Sequence, residues 1–251
     1  MKNILLTATL LCTLLLTGCF ESTQEITLNE DGSGIVSNTN DMSALIGLAR
    51  QMGGGEEIEK AATQKIDSTF SLASQADSIA NLSPEEKVMV RKGVANIMMN
   101  LKEEKFSTNI KFPFATAAEL LSCNKLSSKI MAETIKGQMG GMPMDGGAEM
   151  PEFSTFDDYY TVNFSNGLIA KTLNKDKYAK AGDDEYLKGV KEAAGMGLSM
   201  KANYIINLPR PAKKAEGAGV TLSTDRKRVT ISVGIDDFFD EPSKLEFRIE
   251  Y

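Results

Sequence analysis

Along this chain, stretches with an apolar residue at every second position alternate with stretches in which apolar residues recur at three and four. The first spacing lays one face of a strand on a core, and the second lays one side of a helix there. Residues 25–30 and 35–39, joined by Asp31-Gly32-Ser33-Gly34, read as a hairpin. Asp41 is placed to cap a helix over 42–51, which Gly53-Gly54-Gly55 stops. Residues 56–70 fit no single period, with room for a short helix and a strand around 66–70. Residues 71–82 read as a helix. Ser83-Pro84-Glu85-Glu86 is the clearest helix start, with proline at the first position and a glutamate three residues after the serine. Val90, Val94, Ile97, Met98 and Leu101 follow at helical spacing and predict one buried stripe.

Residues 105–114 alternate Phe106, Thr108, Ile110 and Phe112 against Ser107, Asn109 and Lys111, which predicts a strand with Pro113 at an edge or bend. A long helix follows over 116–136, carrying Leu120, Leu121, Cys123, Leu126, Ile130, Met131 and Ile135 and closed by Gly137. Residues 137–155 break every periodicity and are expected to be a flexible Gly/Met-rich loop. Two β-capable runs, 157–164 and 168–173, flank Asn166-Gly167, a strong hairpin signal because both residues accept positive φ. Asp183 is placed to cap a helix through 194 that turns Leu187, Val190 and Ala194 inward. Residues 198–208 alternate up to Pro209, and 209–214 are expected to be stiff, basic and exposed. A last hairpin is predicted over 219–223 and 228–234, and a closing strand over 244–251. The sum is an α+β fold: an antiparallel sheet with helices packed mainly on one face, preceded by a lipoprotein signal peptide.

That signal occupies the first nineteen residues. Lys2 is followed by an almost continuous apolar run over 4–16 and then by Leu16-Thr17-Gly18-Cys19. The run is shorter than a helix needs to cross a bilayer, and it abuts a small-residue site, so it reads as export followed by cleavage. The last four residues resemble the lipobox of bacterial lipoproteins. That resemblance implies a diacylglyceryl group on the Cys19 thiol and an acyl chain on its freed amine, enough buried methylene for stable anchoring. The expected division is 1–18 signal peptide, 19–24 lipid-anchored tether and 25–251 a single α+β domain.

Composition narrows the chemistry. The chain has 251 residues and a formal charge of −6 with no long basic run, so a nucleic-acid partner is not expected. With Cys12 in the signal and Cys19 lipidated, Cys123 is the one remaining cysteine and no internal disulfide can form. The chain contains no histidine, which excludes Ser-His-Asp and Cys-His catalysis and histidine-bearing zinc sites. Cys123 therefore reads as a small buried residue on a helix. The absence of tryptophan argues against an aromatic stacking platform.

Two chemical readings remain beside a plain binding module. Met139, Met142, Met144 and Met150 crowd the Gly-rich segment, and thioethers are soft ligands that suit cuprous copper. Their ordinary role is to fill gaps or dock a mobile segment. Acidic pairs stand at Glu56-Glu57, Asp157-Asp158, Asp183-Asp184 and Asp236-Asp237, and a glycosidase-type hydrolase needs two carboxyls facing one cleft. Adjacent strand residues point to opposite faces, so Asp157-Asp158 is not such a pair by itself. Asp236, Asp237 and Asp240 lack the glycine and terminal glutamate of a recognised calcium loop.

The lipobox, the early hairpin with Asp31-Gly32-Ser33-Gly34, and the late strand followed by Pro209 and a segment around Thr224-Asp225 to Ile231 resemble uncharacterised exported lipoproteins described as LppM-like. Both ends of the chain carry that pattern, and nothing after Cys19 is apolar for long enough to supply the C-terminal membrane helix of some such proteins. Phe20, in place of the aspartate linked to inner-membrane retention in enteric-type bacteria, implies sorting to the outer membrane, with the periplasmic and surface-facing sides both open. Asp67-Ser68-Thr69 and Asp77-Ser78-Ile79 resemble the sites that Bacteroidota O-glycosylate, which makes Ser68 and Ser78 candidates. The resulting expectation is a membrane-anchored, non-enzymatic binding or envelope interaction module with no cofactor, held by lipid on Cys19 and meeting an envelope protein. The alternatives are a carboxylate hydrolase and a methionine-loop copper binder.

Overall fold

The computed structural model describes residues 19–50, 55, 58–59, 65–79, 82–139, 156–195 and 199–251. Strand β1 (Cys19–Leu28) and strand β2 (Gly34–Asp41) form the first hairpin, paired from Leu28 opposite Gly34 to Glu21 opposite Asp41. The stretch expected as a tether, 19–24, is thus the first half of a strand. Its polar run gives no alternation to read, and its order comes from neighbours on both sides that satisfy its backbone. Helix α1 (Ser43–Ala49) follows, with Met42 at its cap position and the Asp41 carboxylate accepting from the Ser43 N–H at 2.9 Å.

The next region departs most from expectation. Strand β3 (Lys65–Ser71) is present, but the helix expected over 71–82 is a single 3₁₀ turn, Leu72–Ser74, whose Ser71 cap accepts from the Ala73 N–H. Helix α2 (Pro84–Arg91) starts where the capping box placed it, with Ser83 Oγ accepting from the Glu86 N–H at 3.2 Å and the Glu86 carboxylate accepting from the Ser83 N–H at 2.8 Å. It then stops short, and the expected stripe continues as strand β4 (Val94–Asn100). Gly93 is the reason. A Cβ there would lie 2.4 Å from Phe112 Cε1 and 2.9 Å from Leu72 Cδ1, so the glycine lets the buried Phe112 ring close over the chain. Beyond it, pairing on both edges, with β3 and with strand β5 (Lys105–Phe114), outweighs a helical spacing that coexists with alternation of Ala95, Ile97 and Met99 against Val94, Asn96 and Met98.

Helix α3 (Ala117–Met139) runs past Gly137, and its Leu120, Cys123, Leu126 and Ile130 are buried. After a 3₁₀ turn at Phe156–Tyr159, strands β6 (Tyr160–Ser165) and β7 (Leu168–Leu173) form the expected hairpin, with Gly167 at φ +92°. A short helix α4 (Lys175–Tyr178) and helix α5 (Glu185–Gly195) come next. The cap of α5 is Asp184 and not Asp183, since Asp184 Oδ1 accepts from the Leu187 N–H at 3.1 Å. Strand β8 (Ser199–Asn207) leads to strand β9 (Lys214–Gly217), strand β10 (Val220–Leu222) and strand β11 (Arg228–Gly234). The stretch 209–214 is exposed at Arg210, Pro211, Lys213 and Lys214, as expected, but Ala212 is buried and the Lys213 N–H donates to the Glu250 carbonyl at 2.7 Å. Helix α6 (Ile235–Asp240) and strand β12 (Phe247–Glu250) complete the described elements.

Eight strands form one sheet in the order β10-β11-β8-β1-β2-β5-β4-β3, and four form a second in the order β6-β7-β12-β9. The sheet was expected to be antiparallel. The second sheet is, while the first is mixed, because β1 and β8 pair in parallel from Cys19 opposite Ser199 to Thr27 opposite Asn207. A parallel pair needs a long connection, which the residues between β1 and β8 supply. The inner face of the large sheet offers Ile26, Leu28, Val36, Ile110, Phe112 and Phe114 to a core shared with Ile169, Phe247 and Ile249 of the small sheet. Helix α3 packs on β2, β5 and β6, and α6 packs on β8 and β11, so helices lie mainly on one face, as the apolar pattern required. Phe238 of α6 is fully buried among the rings of Phe156, Tyr159, Tyr178 and Phe239.

Candidate functional site

The other face of the large sheet is polar, and the pairing register arranges it in rows. Ser232, Asn203, Thr23, Thr39, Asn109, Asn96 and Thr69 stand opposite one another on β11, β8, β1, β2, β5, β4 and β3. Because directly paired residues point the same way, these side chains form one uncharged stripe that crosses seven strands. At about 4.8 Å per strand spacing it is about 29 Å long. Neighbours brace it: the Asn109 amide donates to Thr39 Oγ1 at 2.5 Å and to Ser37 Oγ at 2.8 Å, and the Asn96 amide donates to Thr69 Oγ1 at 2.9 Å. Beside it, Glu25 accepts from Asn207 at 2.8 Å and from Arg228 at 3.2 Å, and Asn207 also donates to Thr27 Oγ1 at 3.1 Å. Four exposed apolar residues interrupt the polar surface: Ile35 and Pro113, paired with each other, Val94, paired with Lys111, and Met98, paired with Ser107.

A second polar assembly lies where the two sheets meet. The Lys171 side chain, on β7, is only 1% exposed. Its Nζ donates to Asp157 Oδ1 at 2.5 Å and to the Tyr204 hydroxyl at 2.8 Å, and it sits 4.6 Å from the Tyr160 ring centre and 4.3 Å from that of Tyr204. The Tyr204 hydroxyl donates to Asp157 Oδ1 at 2.7 Å, closing a triangle. Burial pushes the Asp157 carboxyl up, but the Lys171 charge and the hydrogen bonds from Lys171 and Tyr204 outweigh it and hold the group below its ordinary value. Burial and the neighbouring Asp157 charge push the Tyr204 phenol well above its own. A cation with two hydrogen bonds and two aromatic faces is satisfied where it lies, and it ties β7 of the small sheet to β8 of the large one. Sequence reasoning missed this cluster. Its one signal is a lysine at the inward position of an alternating strand, between Ile169 and Leu173.

One member of each described acidic pair is taken up locally. Asp157 belongs to the Lys171 triangle and lies in the 3₁₀ turn rather than on a strand. Asp184 accepts from the Tyr159 hydroxyl at 2.8 Å and caps α5, and Asp237 caps the start of α6 while pairing with Lys244 at 3.0 Å. Glu56 and Glu57 lie outside the described residues. Among the described residues no cluster of three or more acidic or cysteine side chains is placed to hold a metal ion. Cys123 is fully buried on α3, and burial, with Glu119 nearby, pushes its thiol up to about 12, so it remains protonated at neutral pH.

Met139 is the last residue of α3, whereas Met142, Met144 and Met150 lie outside the described residues, as do residues 1–18. Cys19 is the first residue of β1. Ser68 is exposed on the edge strand β3, and Ser78 is exposed in the turn after Leu72–Ser74, its hydroxyl donating to the Gln75 carbonyl at 2.9 Å. No helix among the described residues is long and apolar enough to cross a membrane.

Fold and surface thus define an α+β protein whose large mixed sheet buries one face and offers the other as a braced polar wall. The chain is similar to the NMR structure of the folded domain of the LppM protein of Mycobacterium tuberculosis, at 8% sequence identity and a TM-score of 0.37, over 92% of this chain and 90% of that one. No family model matches the chain, and no curated protein matches it either.

Proposed function

We propose that the mature protein is a membrane-anchored lipoprotein of the bacterial cell envelope, sorted to the outer membrane, that binds an envelope component through the open face of its large sheet. The observation that carries this reading is the uncharged stripe from Ser232 to Thr69, hydrogen-bonding and flanked on the same face by small apolar patches. Such a face suits a protein partner met without strong electrostatic steering, because its contacts are short-range hydrogen bonds and local apolar burial. Anchoring rests on the Leu16 to Cys19 motif behind an export-type leader, with lipid on Cys19 as the hold on the membrane.

The test is site-specific photocrosslinking in intact cells. A photoreactive residue at Thr39 or Asn109, on the open face, is expected to trap a discrete partner, and one at the exposed Lys125 of α3 is not. Equal or absent crosslinking from both surfaces would remove the open face as the contact. Metabolic labelling with an alkyne fatty acid checks the anchor: wild-type protein should take up label and Cys19→Ser should not.

A further inference from the structure

A lipid on Cys19 has no slack in this fold. Cys19 is itself paired, opposite Ser199, and every residue from Cys19 to Thr27 has a partner on β8. Glu21 to Leu28 are held on the other side by β2. The attachment point is therefore one end of an inner strand of an eight-stranded sheet. From this, and resting on the lipidation proposed above, the geometry points to an upright placement on the membrane: the sheet end that carries Cys19 is the surface that meets the lipid headgroups.

Strand directions divide the molecule accordingly. The starts of β1, β8 and β5 and the end of β2 share one end, where Lys201 stands opposite Glu21, and Asp41 opposite both Glu21 and Ser107. The opposite end holds the 29–33 turn between β1 and β2, closed by Asn29 N–H to Ser33 carbonyl at 2.8 Å, and the turn before Arg228. At about 3.3 Å per residue, Leu28 stands about 30 Å from Cys19 along the strand, and Thr23 about 13 Å. Sheet twist of about 20–25° per strand limits the upright direction to β1 and the strands near it: its neighbours β8 and β2, and β5 beyond β2. Over those four strands the stripe Asn203, Thr23, Thr39, Asn109 crosses the strand direction, so it runs parallel to the bilayer as a ledge above it. The partner surface is thus presented sideways to a neighbour on the same membrane, and the 29–33 turn faces away from it.

The experiment uses the full lipidated chain in vesicles that contain headgroup spin-labelled lipid. Single cysteines are introduced as Lys201→Cys, near the anchor, and Glu30→Cys, at the far turn, both exposed positions. The buried Cys123 stays unlabelled. Fluorophore at 201 is expected to be quenched severalfold more strongly than fluorophore at 30. Inserting a Gly/Ser linker of about ten residues after Cys19, with ends about 17 Å apart on average, should shrink that difference. Equal quenching at both sites in vesicle-bound protein overturns the upright placement alone. Failure of the wild-type chain to float with vesicles, or flotation unchanged by Cys19→Ser, overturns the anchor reading itself.

Discussion

Lys171 and Arg228 are both cations hydrogen-bonded to a carboxylate, at 2.5 Å to Asp157 and 3.2 Å to Glu25, but the first side chain is 1% exposed and the second 48%. On the open face, Arg228, Asn207, Glu25 and Thr27 exchange hydrogen bonds that water would replace at little cost. At the junction of the sheets, water does not reach the Lys171 ammonium, and its charge is tolerable only because Asp157, Tyr204 and two ring faces surround it. The same chemistry is thus exchangeable in one place and structural in the other. A face made of exchangeable contacts can give them up to a partner, whereas the buried cluster sets how the two sheets meet.

The strongest test of this contrast is Asp157→Ala, which strands a buried ammonium and is expected to cost about 3 kcal/mol in urea unfolding. Lys171→Met should cost less, because the Asp157 side chain it leaves behind is 26% exposed and can take water. Combining Lys171→Met with Asp157→Leu should be milder than Asp157→Ala, since no charge is then left unpaired; a double variant as unstable as Asp157→Ala would refute the account. The pH dependence follows from the lowered carboxyl. A group that titrates lower when folded makes the unfolded state bind more protons, so its contribution is full above about pH 5 and is lost as pH falls below about 4 through the folded value. Asp157→Ala should lack that part of the acid loss, seen as a smaller change in urea midpoint between neutral and acidic buffer.

Gly93→Ala comes next, with an expected cost of about 1–3 kcal/mol from overpacking against Phe112 and Leu72 on the inner face. A neutral result would mean that β4 does not start as described. The smallest effects belong to the open face. Arg228→Gln and Thr39→Ala should each change stability by no more than about 0.5 kcal/mol. Thr39→Ala combined with Asn109→Ala should nevertheless reduce partner crosslinking, and a large stability loss from either single change would move these residues from surface to framework.

Much of the fold was legible. The capping box at Ser83 to Glu86, the Asn166-Gly167 turn and the alternation over 105–114 each specify their element within a few residues, and each appears where expected. The helix read through Val90 to Leu101 was not legible as a strand from spacing alone. What decides it is the Phe112 ring over Gly93 and strands on both edges of β4. The stripe was invisible as a unit, because its seven residues come from seven strands and no two of them are neighbours in sequence.

By itself, then, the sequence determined the local elements whose signals are local, the polar and apolar sides of most strands, and the burial of Cys123. Tertiary structure alone decided that β8 lies parallel to β1, that 19–24 is strand rather than tether, that Lys171 is buried against Asp157 and Tyr204, and that Thr, Asn and Ser residues far apart in the chain fall into one row. The physical reason is common to all four. A turn or a cap is settled by groups a few bonds apart, whereas strand pairing and the fate of a charge depend on which distant groups come to face them.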